Sequence, residues 1–359
     1  MPAEAATIPH SPSRTLRISA IRSEAPDAKT FFLEPTDGLP LPYQAGQYLT
    51  LVRPAPEAPH AVRRSYSISS APVLNEPLAI TVKRVPNGLF SRLLVDRAQP
   101  GDLLVSSGVG GFFTLPANAA DYQQLILLAA GSGITPLFAL LKTALHGHQQ
   151  LRVLLVYSNR TPADAIFHDA LHQLGRQFPA RLHIEWLFSN DPDLNRAHLH
   201  KELLKTLVRQ HVSAPLAATL AYLCGPLNYM RMGTYGLREL GLPRDNLRRE
   251  LFNTEAATVP HTVPPDTAAH RVTVQLRGQA HTFEAEYPRT ILQAARAQGL
   301  VLPYSCEAGR CGNCVARCTA GQVWMSVNEV LTERDLSRGL VLTCTGYPVG
   351  GDVQLEIGT

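Results

Sequence analysis

Hydrophobic and polar positions alternate in short runs through the N-terminal third of the chain, and Pro and Gly separate these runs. Leu78, Ile80 and Val82 alternate with small or polar neighbours, which is the period of a half-buried antiparallel strand. Similar strand-like runs occur at 30–34, 47–52, 65–69, 78–84 and 102–106. About six strands without long helices predict a small antiparallel β-barrel over residues 14–117, after a polar tail at 1–13.

From residue 118 the pattern changes to apolar strands that alternate with helix-length segments. Residues 125–129 are entirely apolar, and Pro136 stands where the first turn of a helix over 136–146 would begin. The alternation continues with strands predicted at 152–157, 182–188, 219–223 and 246–252 and with a helix at 229–240. This order is typical of a parallel, doubly wound, Rossmann-like α/β domain, which we predict over residues 118–254.

The C-terminal part of the chain differs in composition from these two domains. Residues 255–270 combine three prolines with Ala and Thr, which predicts a linker. Residues 271–359 follow as a third unit, and four of the six cysteines lie in it between Cys306 and Cys318. In a reducing compartment such a group is more often a metal site than a disulfide framework.

Composition and charge narrow the class of protein. The 359 residues are 45% hydrophobic and 17% charged, which is an ordinary globular composition long enough for two to three domains. A net charge of +4 is weak support for a polyanionic partner, so we predict no nucleic-acid partner. The longest apolar run, 125–130, is too short to span a membrane, and the N-terminus lacks the order of a secretory signal. We therefore expect a cytoplasmic protein with no membrane span.

The spacing of the cysteines predicts a particular metal centre. Cys306, Cys311, Cys314 and a final Cys344 follow the plant-type 2Fe-2S ligand pattern, with small and polar residues between the first three. A zinc site usually pairs two short cysteine knuckles, and Cys344 has no cysteine near it in sequence. A 4Fe-4S site could use Cys318 in place of Cys344, but Thr319 stands where its proline should be. Cys318 is then interpreted as a small buried residue. The 13 histidines, by contrast, show no evident metal spacing.

Two motifs in the predicted barrel suggest a flavin site. The run Arg64, Ser65, Tyr66, Ser67 offers a guanidinium for a phosphate, an aromatic hydroxyl for the flavin ring and a short hydroxyl for the polar edge of that ring. An ordinary strand that binds no ligand can have the same alternation of Ser and Tyr. The run Gly88, Leu89, Phe90, Ser91 predicts a turn that opens a helix, whose N–H groups can hold a diphosphate. An ordinary glycine turn with a serine cap is the alternative.

Three motifs in the predicted α/β domain suggest a nucleotide site. The first, after the apolar strand, contains Gly131, Ser132, Gly133, Ile134 and Thr135, but Pro136 replaces the third glycine of the usual dinucleotide fingerprint. The second is Cys224, Gly225, Pro226 after a later strand, where Cys224 could also be only a buried thiol. The third, Ser158, Asn159, Arg160, offers a cation for a 2′-phosphate but leaves NADH and NADPH equally open.

Taken together, these motifs resemble the ferredoxin-NADP reductase superfamily, and residues 271–359 resemble a plant-type ferredoxin. The amino-acid sequence from Met325 to Cys344 is similar to that of the C-terminal domain of phenylacetyl-CoA epoxidase and ketosteroid hydroxylase reductases. The resemblance implies three domains: an antiparallel β-barrel for FAD, a Rossmann-like NAD(P) domain and an α+β, β-grasp ferredoxin domain. It also implies that the Val82 backbone and Lys83 border the flavin, that Gly88, Leu89 and Ser91 mark FAD rather than FMN, and that Cys224 lies near the nicotinamide. Glu250, Leu251 and Phe252 match the family's closing Glu-x-Phe, with Phe252 close to the flavin ring.

The function implied by this resemblance is that of a reductase. NAD(P)H would give a hydride to FAD, with Ser67, Cys224, Glu250 and Phe252 as the catalytic set, and single electrons would pass through a 2Fe-2S cluster to a separate oxygenase or hydroxylase component. The alternative is a degenerate relative that senses redox state or acts as a scaffold with little turnover.

Overall fold

The computed structural model describes residues 13–53, 62–252, 262–276 and 278–357. Packing divides the chain into two compact units, one of residues 14–252 and one formed mainly by the residues from 253 onwards. Residues 1–12 of the predicted tail and residues 255–261 of the predicted linker lie outside the described residues.

An antiparallel barrel forms the first part of the N-terminal unit. Its strands are hydrogen-bonded in the order β4-β3-β6-β1-β2-β5. The Ser69 N–H donates to the Ala79 carbonyl at 2.8 Å, so the two outermost strands meet and the barrel closes. Helix α1 and the π-helical turn after it, Leu93–Arg97, pack Phe90 and Leu94 onto the barrel core. The elements are β1 Arg14–Ala25, β2 Ala28–Pro35, β3 Tyr48–Arg53, β4 Val62–Ser67, β5 Ala79–Lys83, α1 Leu89–Arg92 and β6 Leu103–Gly110.

A five-stranded parallel sheet forms the second part of this unit, in the order β11-β10-β7-β8-β9. Alternate residues of β7 face opposite sides: Leu125 and Leu127 join one core with α2 and α3, whereas Ile126 and Leu128 join another with α5 and α6. The predicted doubly wound fold is thus confirmed. The elements are β7 Gln124–Ala130, α2 Ile134–Gly147, β8 Arg152–Asn159, α3 His168–Gln177, β9 Leu182–Phe188, α4 Leu194–Ala197, α5 Lys201–His211, β10 Thr219–Cys224, α6 Leu227–Glu239 and β11 Leu247–Glu250.

Specific contacts fasten the barrel to the sheet. The Tyr222 hydroxyl of β10 donates to the Thr114 carbonyl at 2.7 Å, and the Tyr222 ring packs edge-on against Phe113 with 5.1 Å between centroids. The buried Lys142 of α2 forms an ion pair with the half-buried Glu76, which lies between β4 and β5. Because both sheets are held by these contacts, residues from barrel strands and residues from the parallel sheet can share one site.

A mixed sheet with order β13-β12-β18-β14-β16 forms the C-terminal unit, and β12 runs parallel to β18. Helix α7 packs Ile291 and Leu292 into its core, and Cys344 lies between β16 and β17. The elements are β12 His270–Leu276, β13 Gln279–Ala285, α7 Ile291–Ala297, β14 Val315–Ala320, β15 Val323–Met325, α8 Glu333–Ser337, β16 Leu340–Leu342, β17 Gly346–Pro348 and β18 Val353–Ile357. Across the described ranges of both units, none of the helices has the length and apolar character needed to span a bilayer.

Candidate functional site

The carboxyl ends of three strands bring Ser67, Cys224 and Glu250 together. Glu250 ends β11 and lies beside Cys224, the last residue of the neighbouring β10, in the parallel register. Ser67 ends β4 of the barrel, and its hydroxyl donates to Glu250 Oε2 at 3.3 Å. The barrel therefore contributes one member of this cluster and the parallel sheet contributes two.

Burial controls the charge of this cluster. It raises the pKa of the Glu250 carboxyl to about 8, although the hydrogen bond from Ser67 acts in the opposite direction. The pKa of the fully buried Cys224 thiol is raised well above its ordinary value by burial and by the Glu250 carboxyl beside it. Near pH 7 the thiol is protonated and the carboxyl is mostly so, which leaves the cluster close to neutral.

Phe252 lies two residues after Glu250 in the sequence, and its side chain is not enclosed as that of a core residue would be. The strand predicted over 246–252 spans only Leu247–Glu250, so Leu251 and Phe252 lie beyond its end. The Phe252 side chain is 45% exposed, so it is not packed in the core of the sheet. A large exposed aromatic ring next to the cluster offers a surface that another planar group can cover.

The nucleotide motif lies where β7 leads into α2. Residues Gly131–Gly133 form a 3-10 turn, and Gly131 has a φ of +53° with open space where a side chain would point. A Cβ on Gly133 would lie 2.0 Å from the Cys224 carbonyl oxygen, so only glycine allows this approach. Thr135 then closes the turn by donating to the Ser132 carbonyl at 2.9 Å. Ile134 is the first residue of α2 and is fully buried.

The other two nucleotide motifs lie on the strands that flank β7. A Cβ on Gly225 would lie 2.9 Å from Ala130 Cβ, so the turn after β10, which continues with Pro226, packs directly on the end of β7. Ser158 pairs with Ala130 in the β7–β8 register, and Arg160 is exposed just beyond the end of β8. Because all three motifs lie at the carboxyl edge of the sheet, they face the same ligand-binding edge.

The flavin motif occupies the barrel strand that ends at Ser67. Arg64 is exposed, Tyr66 is half-buried, and burial raises the pKa of the Tyr66 hydroxyl, so it remains protonated. The Val82 side chain is fully buried in the barrel core, which leaves only its backbone to border a ligand. Lys83 pairs with Asp27 at 3.5 Å.

A hydrogen bond to the Ser91 hydroxyl closes the predicted diphosphate turn. The Val85 N–H donates to Ser91 Oγ at 3.1 Å, and a Cβ on Gly88 would lie 2.3 Å from that oxygen. Leu89, the first residue of α1, is 55% exposed and so borders open space. A side chain at Gly88 would have to displace the Ser91 hydroxyl, and the first N–H groups of α1 have no acceptor within the helix.

The four predicted cluster cysteines form two pairs. The Cys306 thiol is a hydrogen-bond partner of Cys311, and the Cys314 thiol is a partner of Cys344. Two pairs suit a centre with two irons, each held by two thiolates. Over the described residues no three His, Cys, Asp or Glu side chains converge on one point as a single metal ion would need. Cys318 lies outside these pairs, on β14, and is partly exposed rather than buried as predicted.

Backbone N–H groups of the cysteine loop point at the sulfur atoms. Ala308 donates to Cys306 Sγ at 3.4 Å, and the Arg310 N–H acts on the same sulfur. Together with the Cys311 thiol, these donors lower the pKa of Cys306 to about 6, against the effect of burial. Gly309 and Gly312 have positive φ angles, as the loop needs in order to turn its N–H groups inward. The donor set therefore fits a negatively charged iron–sulfur centre.

Several residues that support these sites carry no short sequence motif. The buried Tyr229 hydroxyl donates to the Ala129 carbonyl at 3.0 Å, and the Tyr157 hydroxyl donates to the Gly131 carbonyl at 3.1 Å, so both brace the nucleotide turn. In the cysteine loop, Arg310 pairs with Glu329 at 3.3 Å and Glu307 pairs with Arg296 at 2.9 Å. Their roles depend on tertiary contacts, which no local spacing reveals.

Comparisons with known proteins cover all three modules. Residues 15–114 match an oxidoreductase FAD-binding domain, residues 127–234 an oxidoreductase NAD-binding domain, and residues 274–349 a 2Fe-2S iron-sulfur cluster binding domain. These matches confirm the three predicted cofactor domains and their order.

Relatives match along the whole chain. The ferredoxin reductase component of a 3-ketosteroid-9-alpha-monooxygenase of Mycobacterium tuberculosis is 35% identical, over 95% of this chain and 94% of that protein. A component of the 1,2-phenylacetyl-CoA epoxidase of Escherichia coli is 31% identical, over 95% of this chain and 97% of that protein. The structure of phthalate dioxygenase reductase has the same fold, with a TM-score of 0.57 at 24% identity over 96% of this chain and 98% of that one.

Proposed function

Because the chain belongs to the family of oxygenase reductase components that combine FAD-binding, NAD-binding and 2Fe-2S domains, we propose which of its residues bind and orient the cofactors that carry electrons from NAD(P)H to the partner. The protein is an oxidoreductase, and an oxygenase or hydroxylase component is its electron acceptor. When bound, FAD accepts a hydride and the 2Fe-2S cluster carries one electron at a time.

We assign hydride transfer to the place where Ser67, Cys224 and Glu250 meet. The observation that carries this assignment is the 3.3 Å hydrogen bond from Ser67 to Glu250, because it joins the end of a barrel strand to the edge where the nucleotide motifs lie. Ser67 and Cys224 orient the flavin and nicotinamide rings. Because the group formed by Ser67, Cys224 and Glu250 is close to neutral, no fixed charge there opposes the transfer of a hydride between the rings. With FAD bound, the exposed Phe252 would be the side chain that covers the flavin ring.

We assign the cofactor contacts to the motifs described above. Arg64 and the N–H groups of the Gly88–Ser91 turn hold the FAD phosphates, and Tyr66 lies against the ring. The turn from Gly131 to Thr135, together with Gly225 and Pro226, holds the pyridine nucleotide. The Cys306–Cys311 and Cys314–Cys344 pairs hold the cluster.

Substitution of Ser67 and Cys224 tests the hydride site. Ser67→Ala and Cys224→Ala should keep FAD and lower the rate of flavin reduction by NAD(P)H about tenfold or more, as measured by stopped-flow absorbance. Cys318→Ala, which removes a thiol from the other unit, is the control and should leave the rate unchanged. Wild-type flavin reduction in both site variants would reject the assignment. A redox sensor or scaffold would instead show bound cofactors and little NAD(P)H oxidation in the wild type.

We propose that the C-terminal unit is the only outlet for electrons to the natural partner. Residues 271–359 contain eight Arg, no Lys and eight acidic residues, so their net charge gives little long-range steering. A chain that ends at Thr254 should still reduce ferricyanide, because residues 14–252 form a compact unit of their own. It should not reduce the oxygenase component. Reduction of that component at the full-length rate would reject this electron route.

Coenzyme preference and location are the remaining proposals. The exposed Arg160 is the residue that would pair with a 2′-phosphate, so Arg160→Ala should raise the KM for NADPH and leave that for NADH unchanged if NADPH is the substrate. Equal effects on both coenzymes would reject this pairing. The clustered free cysteines suit a reducing compartment, and we place the protein in the cytoplasm, which fractionation of cells can check.

A further inference from the structure

The N-terminal turn of helix α3 carries two histidines whose side chains face each other. His168 is the first residue of α3 and His172 follows four positions later, so both lie on one face of the helix. Their Nε2 atoms are 3.2 Å apart. The sequence contains this His-x3-His spacing, which the prediction of no metal spacing among the histidines overlooked.

We propose that His168 and His172 form a binding site for a divalent transition-metal ion such as Zn²⁺ or Ni²⁺, with both Nε2 atoms as ligands. In a tetrahedral site with metal–nitrogen bonds of about 2.0–2.1 Å, two imidazole nitrogens lie about 3.3 Å apart. The observed separation needs almost no adjustment. Two histidines at positions i and i+4 of a helix are a recognised zinc-binding arrangement, and imidazole suits zinc, nickel and copper.

A neighbouring carboxylate sets the tautomer of His168. Its Nδ1 lies 3.1 Å from Asp169 Oδ1, and since a carboxylate can only accept, Nδ1 carries the proton there. Nε2 of His168 then presents its lone pair toward His172. Without metal, the His172 Nε2–H donates to this lone pair, and a metal ion replaces that hydrogen when His172 moves its proton to Nδ1.

Trp186 of β9 supports both imidazole rings from below. The His172 ring stacks on the indole at 5.1 Å and 20°, and the His168 ring lies at the same distance with a 49° tilt. The indole is itself packed against Tyr157 and Phe188. Because this platform restricts the rotamers of both histidines, less conformational entropy is lost when a metal binds.

The site is bidentate as far as the described residues extend. No group of three such side chains meets there. The His168 side chain is 33% exposed and His172 is exposed, so water completes the coordination. None of its ligands belongs to the residues assigned to hydride transfer or to the cluster, and the proposal does not depend on those assignments.

Titration of the untagged holoprotein with Ni²⁺ tests the proposal. Bound Ni²⁺ should quench the fluorescence of Trp186 saturably with one ion per chain, and zinc calorimetry should give the same stoichiometry. His172→Gln and His168→Gln should each weaken binding at least tenfold. His198→Gln, which removes an exposed histidine of the same domain, is the matched control and should bind as the wild type does. Asp169→Asn should have a smaller effect than loss of either imidazole.

Two further variants make the outcome decisive. Trp186→Phe should keep calorimetric zinc binding and lose most of the quenching, which ties the signal to this tryptophan. The double variant His168→Gln/His172→Gln should keep NAD(P)H oxidation with ferricyanide, which shows that it is folded. Wild-type metal affinity in this double variant, or no saturable binding to the wild type up to millimolar metal, would overturn the proposal and leave the pair as a hydrogen bond only.

Discussion

Ser67, Cys224 and Glu250 come from three strands that are far apart in the sequence, whereas Cys306, Cys311 and Cys314 share one loop. The first group of side chains comes together only when the barrel packs on the parallel sheet. Burial there raises the pKa of the carboxyl. The cysteine loop depends on short-range backbone geometry, with positive φ angles that turn N–H groups toward sulfur. From this difference we expect the proposed hydride site to be sensitive to packing between elements, and the proposed cluster site to be sensitive to its own ligands.

Loss of a cluster ligand should have the largest effect. Cys344→Ala removes the partner of Cys314, so iron and acid-labile sulfide should fall close to zero while FAD is retained. Cys318→Ala should keep both at one cluster per chain, since Cys318 lies outside the two pairs. The opposite result, with iron kept in Cys344→Ala and lost in Cys318→Ala, would favour the 4Fe-4S ligand set.

A single methyl group should damage the site that depends on packing. In Gly133→Ala the new Cβ would collide with the Cys224 carbonyl, so the nucleotide turn must move. We expect the KM for NAD(P)H to rise about tenfold or more, with the cluster content unchanged. The control is Gly175→Ala in α3, where the nearest atom to the new Cβ is 3.8 Å away. Equal kinetics in the two variants would contradict the tight approach.

Stability should decrease with rising pH because of Glu250. Its pKa is raised to about 8 in the folded chain, so the folded state holds more protons than the unfolded state above pH 4.5. The contribution is complete below that pH and is lost as the pH rises through about 8, by at most about 5 kcal/mol. Thermal midpoints of Glu250→Gln should lack this decline. Glu202→Gln, whose carboxyl is exposed on α5, should follow the wild type, and a parallel decline in all three would remove Glu250 as the cause.

The charges around the cysteine loop should have the smallest effect. Arg310→Gln removes a positive charge and should lower the cluster's reduction potential, whereas Glu329→Gln should raise it. Each change should alter the ratio of reduced to oxidised cluster by less than tenfold, or less than about 59 mV for one electron. Potentiometric titration followed by EPR measures this, with Arg271→Gln at the distant Asp352 pair as control. Shifts of the same sign in both loop variants would indicate a change in loop geometry instead of charge.

The sequence predicted the parts of the molecule that repeat a local rule. Strand-like runs predicted a barrel of about six strands and located five of them, and the strand predicted at 182–188 has the observed bounds. The cysteine spacing predicted the ligand set because the loop is short. The sequence could not show that Ser67 would contact Glu250, since this contact depends on the packing of two sheets. The end of the last strand was misjudged, since it stops at Glu250 before Phe252, and Cys318 is partly open, because burial depends on neighbours from other elements.

The bonds from Tyr222 to Thr114 and from Lys142 to Glu76 have a consequence for protein engineering. A chimera that exchanges the barrel alone would leave a tyrosine and a lysine without their acceptors, so the exchangeable cassette comprises residues 14–252 as a whole. The C-terminal unit carries the four proposed cluster ligands and their backbone donors entirely within its own chain segment. If the C-terminal unit is the electron outlet, as proposed, gene fusion can move it between reductases as one piece, and a new partner can be acquired without any change at the proposed hydride site.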